Sequence, residues 1–288
     1  MIYEDRLGWL EARQKRVLLF GMSGLGKTHV SAMLRANGDW YHYSVDYRIG
    51  THYMGEHIVD NFKRQAMQVP FLRDLLLSDS IFIGSNITFH NLSPLSTYMG
   101  KPGDEGKGGL PYGEYRRRQA QHERAERAAM WDTFRFIDRA RDVYGYPHFV
   151  CDSSGSICEV VNPDDPEDPL LKALADRVLM VWIKGSEAYT EELIRRFDAD
   201  PKPMYYQPGF IDGAWAGYRS ETGVSESNVD PDDFVRWTFA RALAHRQPRY
   251  ASIARNWGVT VTADQIADVR DSADFQALVG SVLPSRAT

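Results

Sequence analysis

An α/β fold built on a five-stranded parallel sheet, with a largely helical insertion, is what this sequence predicts, on three observations. Short apolar runs recur along the chain, each followed by helical material, which is the rhythm of a parallel sheet covered on both faces. One run, Val178-Leu179-Met180-Val181-Trp182-Ile183, is apolar throughout, as a strand buried on both sides requires. Another, Arg16-Val17-Leu18-Leu19-Phe20, leads straight into a glycine-rich turn, Gly21-Met22-Ser23-Gly24-Leu25-Gly26-Lys27-Thr28, that opens a helix. At 288 residues the chain can bury a sizeable core, and it reads as one domain over 1–288 interrupted at about 85–145.

The first predicted strand is Arg16–Phe20, and the turn after it fits G-x-x-x-x-G-K-[ST]. Glycines let the backbone wrap closely around an anion, and the helix N-terminus adds partial positive charge. Gly21, Met22, Ser23, Gly24, Leu25, Gly26, Lys27 and Thr28 are therefore the predicted nucleotide-binding set. Lys27 would reach the terminal phosphates, and the Thr28 hydroxyl would ligate Mg²⁺. Val30, Met33 and Leu34 recur at helical spacing, and Gly38 marks the stop.

The second strand is Tyr41–Val45, leading to Asp46. A carboxylate there can accept the proton of an attacking hydroxyl, and Arg48 can bind an anionic substrate group or pair with Asp46. The alternative is a turn residue with a surface ion pair.

From Ser85 to Gly145 the rhythm breaks. A turn-rich stretch, with glycines at 100, 103, 106, 108 and 109, precedes a long helix from about Glu114 to Tyr144. From Arg116 to Arg127 that helix is polar nearly all round, so no apolar stripe holds it down and it is expected to project. Met130, Phe134 and Ile137 give its second half a packing face. With the glycine-rich 101–109, the polar half predicts a mobile cover. Arg116, Arg117 or Arg118 would meet an anionic group, or else the helix is simply solvated with internal ion pairs such as Glu123 with Arg127.

The third strand, His148–Cys151, ends at Asp152, placed at the edge of an open parallel sheet where ligands bind. Asp152 can hold Mg²⁺ there, or cap the loop Ser153-Ser154-Gly155. Pro163 to Pro169 reads as an exposed acidic loop. The fourth strand, Val178–Ile183, is followed by a helix ending at Arg195 and Arg196. These cations can close over a γ-phosphate, or compensate the helix dipole. Val259–Thr262 is the fifth strand.

Composition excludes several classes. A formal net charge of −5, and no stacking aromatics on the basic half-helix, argue against nucleic acid. Cys151 and Cys158 lack zinc or disulfide-framework spacing. Met1-Ile2-Tyr3-Glu4-Asp5-Arg6 lacks the pattern of a secretory signal, and no apolar run approaches membrane length, so a soluble cytoplasmic protein without membrane contact is expected. His52 and His57 do not share a helical face. The D-x-x-G at Asp152–Gly155 lacks a companion N-K-x-D or T-K-x-D to read guanine.

The order of these features resembles the P-loop small-molecule kinases, especially the shikimate- and gluconate-kinase-like group of P-loop NTPases. Five landmarks carry the resemblance. They are the loop at Gly21–Thr28, the segment Val45-Asp46-Tyr47-Arg48-Ile49-Gly50 and the strand into Asp152-Ser153-Ser154-Gly155. The other two are Val181-Trp182-Ile183 with its helix to Arg196, and Arg249-Tyr250-Ala251-Ser252-Ile253-Ala254 before the last strand. The resemblance implies a three-layer P-loop NTPase fold. It makes Arg195 and Arg196 the lid cations, and lays Thr262-Ala263-Asp264-Gln265 against adenine. It puts Asp46 on the acceptor hydroxyl and Gly155 in the substrate loop. A counterpart of the shikimate-kinase F-R-x-x-E element is missing, and the insertion is foreign to those compact enzymes, which disfavours shikimate itself.

The expected activity is transfer of the γ-phosphoryl of ATP, with Mg²⁺, to a hydroxyl of a small-molecule acceptor. Lys27, Asp46, Arg195 and Arg196 would be catalytic, Arg48, Gly155 and Arg116 to Arg118 substrate-binding, and Thr28 and Asp152 metal-binding. The alternative is a nucleotide-dependent switch or ATPase acting on a protein partner through the 85–145 insertion.

Overall fold

A computed structural model describes residues 1–285. Its five strands are β1 (Arg16–Phe20), β2 (Trp40–Ser44), β3 (His148–Asp152), β4 (Leu179–Lys184) and β5 (Gly258–Thr262). All pair in parallel, in the order β2-β3-β1-β4-β5. Val17 to Phe20 and Leu179 to Val181 are fully buried at consecutive positions, so both faces of the central strands are covered. The arrangement is α/β and compatible with a three-layer fold.

The helices follow in chain order. Ahead of β3 come α1 (Arg6–Glu11), α2 (Lys27–Ala36), α3 (Val45–Arg48), α4 (Gly55–Ala66), α5 (Pro70–Leu77), α6 (Ser93–Met99) and α7 (Tyr112–Asp142). Next are α8 (Ile157–Val160), α9 (Pro169–Ala175), α10 (Glu187–Ala199), α11 (Pro208–Thr222) and α12 (Pro231–Trp257). The last two, α13 (Ala263–Ala267) and α14 (Ser272–Val282), follow β5. A π-helical turn, Ile49–Tyr53, continues from α3.

The chain forms two compact units. One holds the sheet and comprises residues 1–45, 126–201 and from 236 onward. Its core is β1, β3 and β4 with Val30 and Leu34 of α2, Leu171 and Leu174 of α9, Tyr250 and Ile253 of α12, and Phe275 and Val279 of α14. The other comprises residues 46–125 and 202–235. Its core includes Ile58, Tyr98, Tyr115, Tyr206, Trp215 and Phe234. Trp215 stacks on Tyr112 with centroids 4.5 Å apart and meets the edge of Phe234 at 4.9 Å.

Four local expectations are corrected. Strand β2 stops at Ser44, because Val45 to Arg48 turn helical, so Asp46 sits in the first turn of a helix. The polar half of α7 does not project. Tyr115, Arg118, Gln119, His122, Ala125 and Glu126 are buried at helical spacing, and hydrogen bonds replace the missing apolar stripe. Gln119 alone donates to Met204 O at 3.0 Å and accepts from Tyr206 N at 2.9 Å. The glycine-rich 101–109 is likewise tied down. Asp104 N donates to Val229 O at 2.8 Å, and Lys101 and Lys107 pair with Asp232 and Asp230 at 2.6 and 2.9 Å. In the acidic loop, Asp168 is buried because it caps α9, accepting from Leu170 N and Leu171 N.

Candidate functional site

Strand order fixes where the sheet-bearing unit opens. From β1 the chain builds β2 and β3 on one side and β4 and β5 on the other, so the direction of winding reverses at β1. In open parallel sheets the crevice at the strands' carboxyl ends lies at such a reversal. The segment leaving β1 there is Gly21–Thr28.

Two glycines in it are dictated by geometry. Gly21 has φ 134°, and a Cβ on it would stand 2.6 Å from Ile183 O of β4. Gly26 has φ 95° and caps α2 without any side-chain acceptor, so the first amides of that helix stay uncapped by protein side chains. An uncapped helix start behind a glycine turn is a ready anion site. Lys27 is buried, and its Nζ donates to Gly21 O at 2.8 Å and Met22 O at 3.0 Å. Thr28, next to it, is half-buried.

Neighbours reach this loop from several elements. A Cβ at Gly24 would meet Leu193 Cδ2 of α10 at 2.9 Å, and one at Gly26 would meet Ile266 Cγ2 of α13 at 3.3 Å. Thus the helix that carries Arg195 and Arg196, and the segment after the last strand, both border the loop. The two arginines are exposed and pair with Glu192, at 2.8 and 2.9 Å.

Asp152 is aligned with Leu19 of β1 and Ser44 of β2, and is 5% exposed. His42, fully buried, brings Nε2 to 3.7 Å from its Oδ2. Sequence reading missed His42; its only signal was a polar residue at an inward position of a strand. Beyond Asp152 the 153–156 loop lies against the glycine turn, since a Cβ at Gly155 would be 2.8 Å from Ser23 Oγ.

That loop is held by a buried polar network. Ser154 and Ser156 hydroxyls are 2.8 Å apart, and Ser156 donates to Glu126 Oε2 of α7 at 2.7 Å. Gly155 O accepts from the Tyr250 hydroxyl and, at 3.5 Å, from Arg246 Nη1. Arg246 also pairs with Glu159, both essentially inaccessible. Burial raises the Tyr250 hydroxyl's pKa well above its ordinary value and pushes the Cys158 thiol up to about 12, so both stay protonated at neutral pH. Glu126, Glu159 and Arg246 were also missed, because their partners lie tens of residues away in the chain.

The remaining predicted residues belong to the other unit. Asp46 is half-buried, and Arg48 lies over the Tyr53 ring at 5.4 Å. Arg116 pairs with Asp212 at 2.7 Å, and Arg117 with Glu114 at 2.7 Å. Arg118 is buried, bonded to Glu114, Asn61 Oδ1 and Tyr98 O. The hydrogen bond from Arg117 leads the effects that hold the Glu114 carboxyl down at about 2. An open polar cavity of about 650 Å³ in this unit is lined by Thr51, His52, Glu56, Asp60, Lys63 and Ser85, among others.

Among the described residues, no group of three or more His, Cys, Asp or Glu is placed to hold a metal, and no helix is long and apolar enough to cross a membrane. Comparison of the chain with protein-family models, curated proteins and solved structures found no match.

Proposed function

We propose that this chain is a P-loop kinase of three-layer architecture that transfers the γ-phosphoryl of ATP to a hydroxyl of a small molecule. One observation carries the reading. The full G-x-x-x-x-G-K-T pattern sits at the carboxyl end of the central strand, with Gly26 left-handed and α2 uncapped behind it. The resemblance to shikimate- and gluconate-kinase-like enzymes is part of the same proposal.

The residues suit the nucleotide and its metal. Buried Lys27 would exchange two carbonyl acceptors for phosphate oxygens, and Thr28 and Asp152 would hold Mg²⁺. Bound Mg²⁺ would neutralise charge on the phosphate oxygens. Asp46 would accept the acceptor's proton, and Arg195 and Arg196 would leave Glu192 to cover the transferring group. Arg48, Gly155 and Arg116 to Arg118 would contribute to acceptor recognition, the last three only by giving up present partners. Two buried thiols, Cys151 and Cys158, suit a cytoplasmic setting.

A metabolite-library screen reporting ADP release tests this. ATP turnover should be slow alone and rise with one acceptor class, and Lys27→Ala should remove the rise. Turnover that no small molecule stimulates, but a protein does, would replace the kinase by the nucleotide-dependent switch. No ATP binding at all would remove both.

A further inference from the structure

Tyr250 of α12 is fully buried in the sheet-bearing unit. Its ring centroid lies 6.3 Å from that of Phe20, the last residue of β1, and 6.4 Å from that of Trp182, the residue aligned with Phe20 on β4. A phenol so placed needs a partner for its hydroxyl. The hydroxyl donates to Gly155 O and lies 3.5 Å from Met22 Sδ. A carbonyl is the stronger acceptor, so the single hydrogen goes to Gly155 and the sulfur is a packing contact.

These contacts converge on the first three residues of the 21–28 turn. Trp182, beside the Tyr250 ring, approaches Gly21, where a Cβ would be 3.3 Å from Trp182 Cδ1. Met22 is 2% exposed and meets the hydroxyl directly. Ser23 meets Gly155, on which a Cβ would stand 2.8 Å from Ser23 Oγ and 3.3 Å from Ser23 N. The 153–161 stretch is itself anchored. Ser156 donates to Glu126 at 2.7 Å, and Arg249 donates to Cys158 O at 2.7 Å and to Val161 O at 2.9 Å. Gly21 O and Met22 O, in turn, accept from Lys27 Nζ.

We propose that Tyr250 and Gly155 are positioning residues for anion binding by the 21–28 turn. The Tyr250 hydroxyl fixes Gly155 and Met22, and Gly155 lets an anchored backbone lie directly on Ser23. Together they set the backbone amides, and the carbonyls that hold Lys27, where the phosphates would be received. The inference rests on the nucleotide reading above, and it holds whether or not Gly155 also touches an acceptor. Amides that must converge on one anion bind it more weakly once they spread, because the ligand then has to order them.

Isothermal titration calorimetry of the full chain with ADP and with tripolyphosphate, each with Mg²⁺, tests the proposal; tripolyphosphate reports on the turn without the base. Tyr250→Phe keeps the ring and removes the hydroxyl, and should weaken both ligands about fivefold. Tyr3→Phe is the control. Tyr3 is buried in the same unit, but its hydroxyl donates to Gln14 O and accepts from Arg16 N at the opposite end of β1. Its loss should leave both affinities within about twofold of the parent's. A merely structural tyrosine at 250 would lower the unfolding temperature and leave both affinities unmoved. Gly155→Ala should weaken tripolyphosphate about tenfold in the parent, and much less where Ser23→Ala has removed the oxygen that the new methyl strikes. That comparison decides the matter if Tyr250→Phe does not fold. A parent that binds both ligands, with Tyr250→Phe no weaker than Tyr3→Phe, overturns the inference and leaves the nucleotide reading standing. So does Gly155→Ala acting equally with and without Ser23→Ala, where Tyr250→Phe does not fold. A parent that binds neither ligand overturns both.

Discussion

Lys27 carries a positive charge where the protein offers it two backbone carbonyls of its own loop. Replacing it removes that charge and little packing, so Lys27→Ala should lower ATP turnover at least ~100-fold with an unfolding temperature close to the parent's. Stopped assays beside thermal unfolding read both. The glycine turn and helix start around Lys27 were legible in the sequence because their pattern is contiguous. Arg246 and Glu159 were not, being 87 residues apart in the chain while forming one inaccessible ion pair. Glu159→Gln leaves the buried guanidinium uncompensated and should cost about 3–5 kcal/mol in denaturant unfolding, whereas the double change Arg246→Met with Glu159→Leu should cost much less. Similar losses for both would mean the pair contributes by packing alone.

At the scale of elements, α7 gives a clear account of what patterning misses. A helical stripe is recognised by apolar residues, and the buried stripe from Arg118 to Glu126 is mostly polar, satisfied by atoms remote in sequence such as Asn61, Met204 and Tyr206. The second half, with Met130 and Ile137 buried, follows the ordinary pattern and was legible. Arg118→Ala should therefore destabilise by about 2 kcal/mol, while Arg117→Ala, half exposed, should change stability by less than ~0.5 kcal/mol. Glu114 bonds both arginines, and its folded pKa of about 2 lies below the ordinary 4.5. A depressed carboxyl contributes stability that is complete above the unfolded value and is lost as pH falls from there toward about 2. Glu114→Gln should flatten that part of the stability profile, and a profile identical to the parent's would show that the acid sensitivity arises elsewhere.

Across the whole molecule, the sheet was the legible part. All five strands appear within a residue or two of their expected bounds, and the central β1 and β4 are the ones written as nearly continuous apolar runs. The second compact unit was hidden, since it joins residues 46–125 to 202–235, and no local composition marks two distant segments as one body. This division gives the proposed roles of the two aspartates separate tests. Asp152 lies in the sheet-bearing unit beside the strand that feeds the glycine turn 21–28, and Asp46 belongs to the other. Asp152→Asn should weaken Mg²⁺-dependent nucleotide binding by about tenfold or more, with little change in metal-free affinity. Asp46→Asn should leave nucleotide affinity within about twofold and lower the rate of transfer to the acceptor by ~100-fold or more, as expected for loss of a proton acceptor. Titration of ATP against each variant, with and without Mg²⁺, reads the first effect, and ADP release in the presence of the acceptor reads the second. Loss of nucleotide affinity in Asp46→Asn with retention in Asp152→Asn would reverse the assignment. It would move the metal-binding role to the helical turn after β2 and leave Asp152, with the buried His42 of β2, as a structural pair.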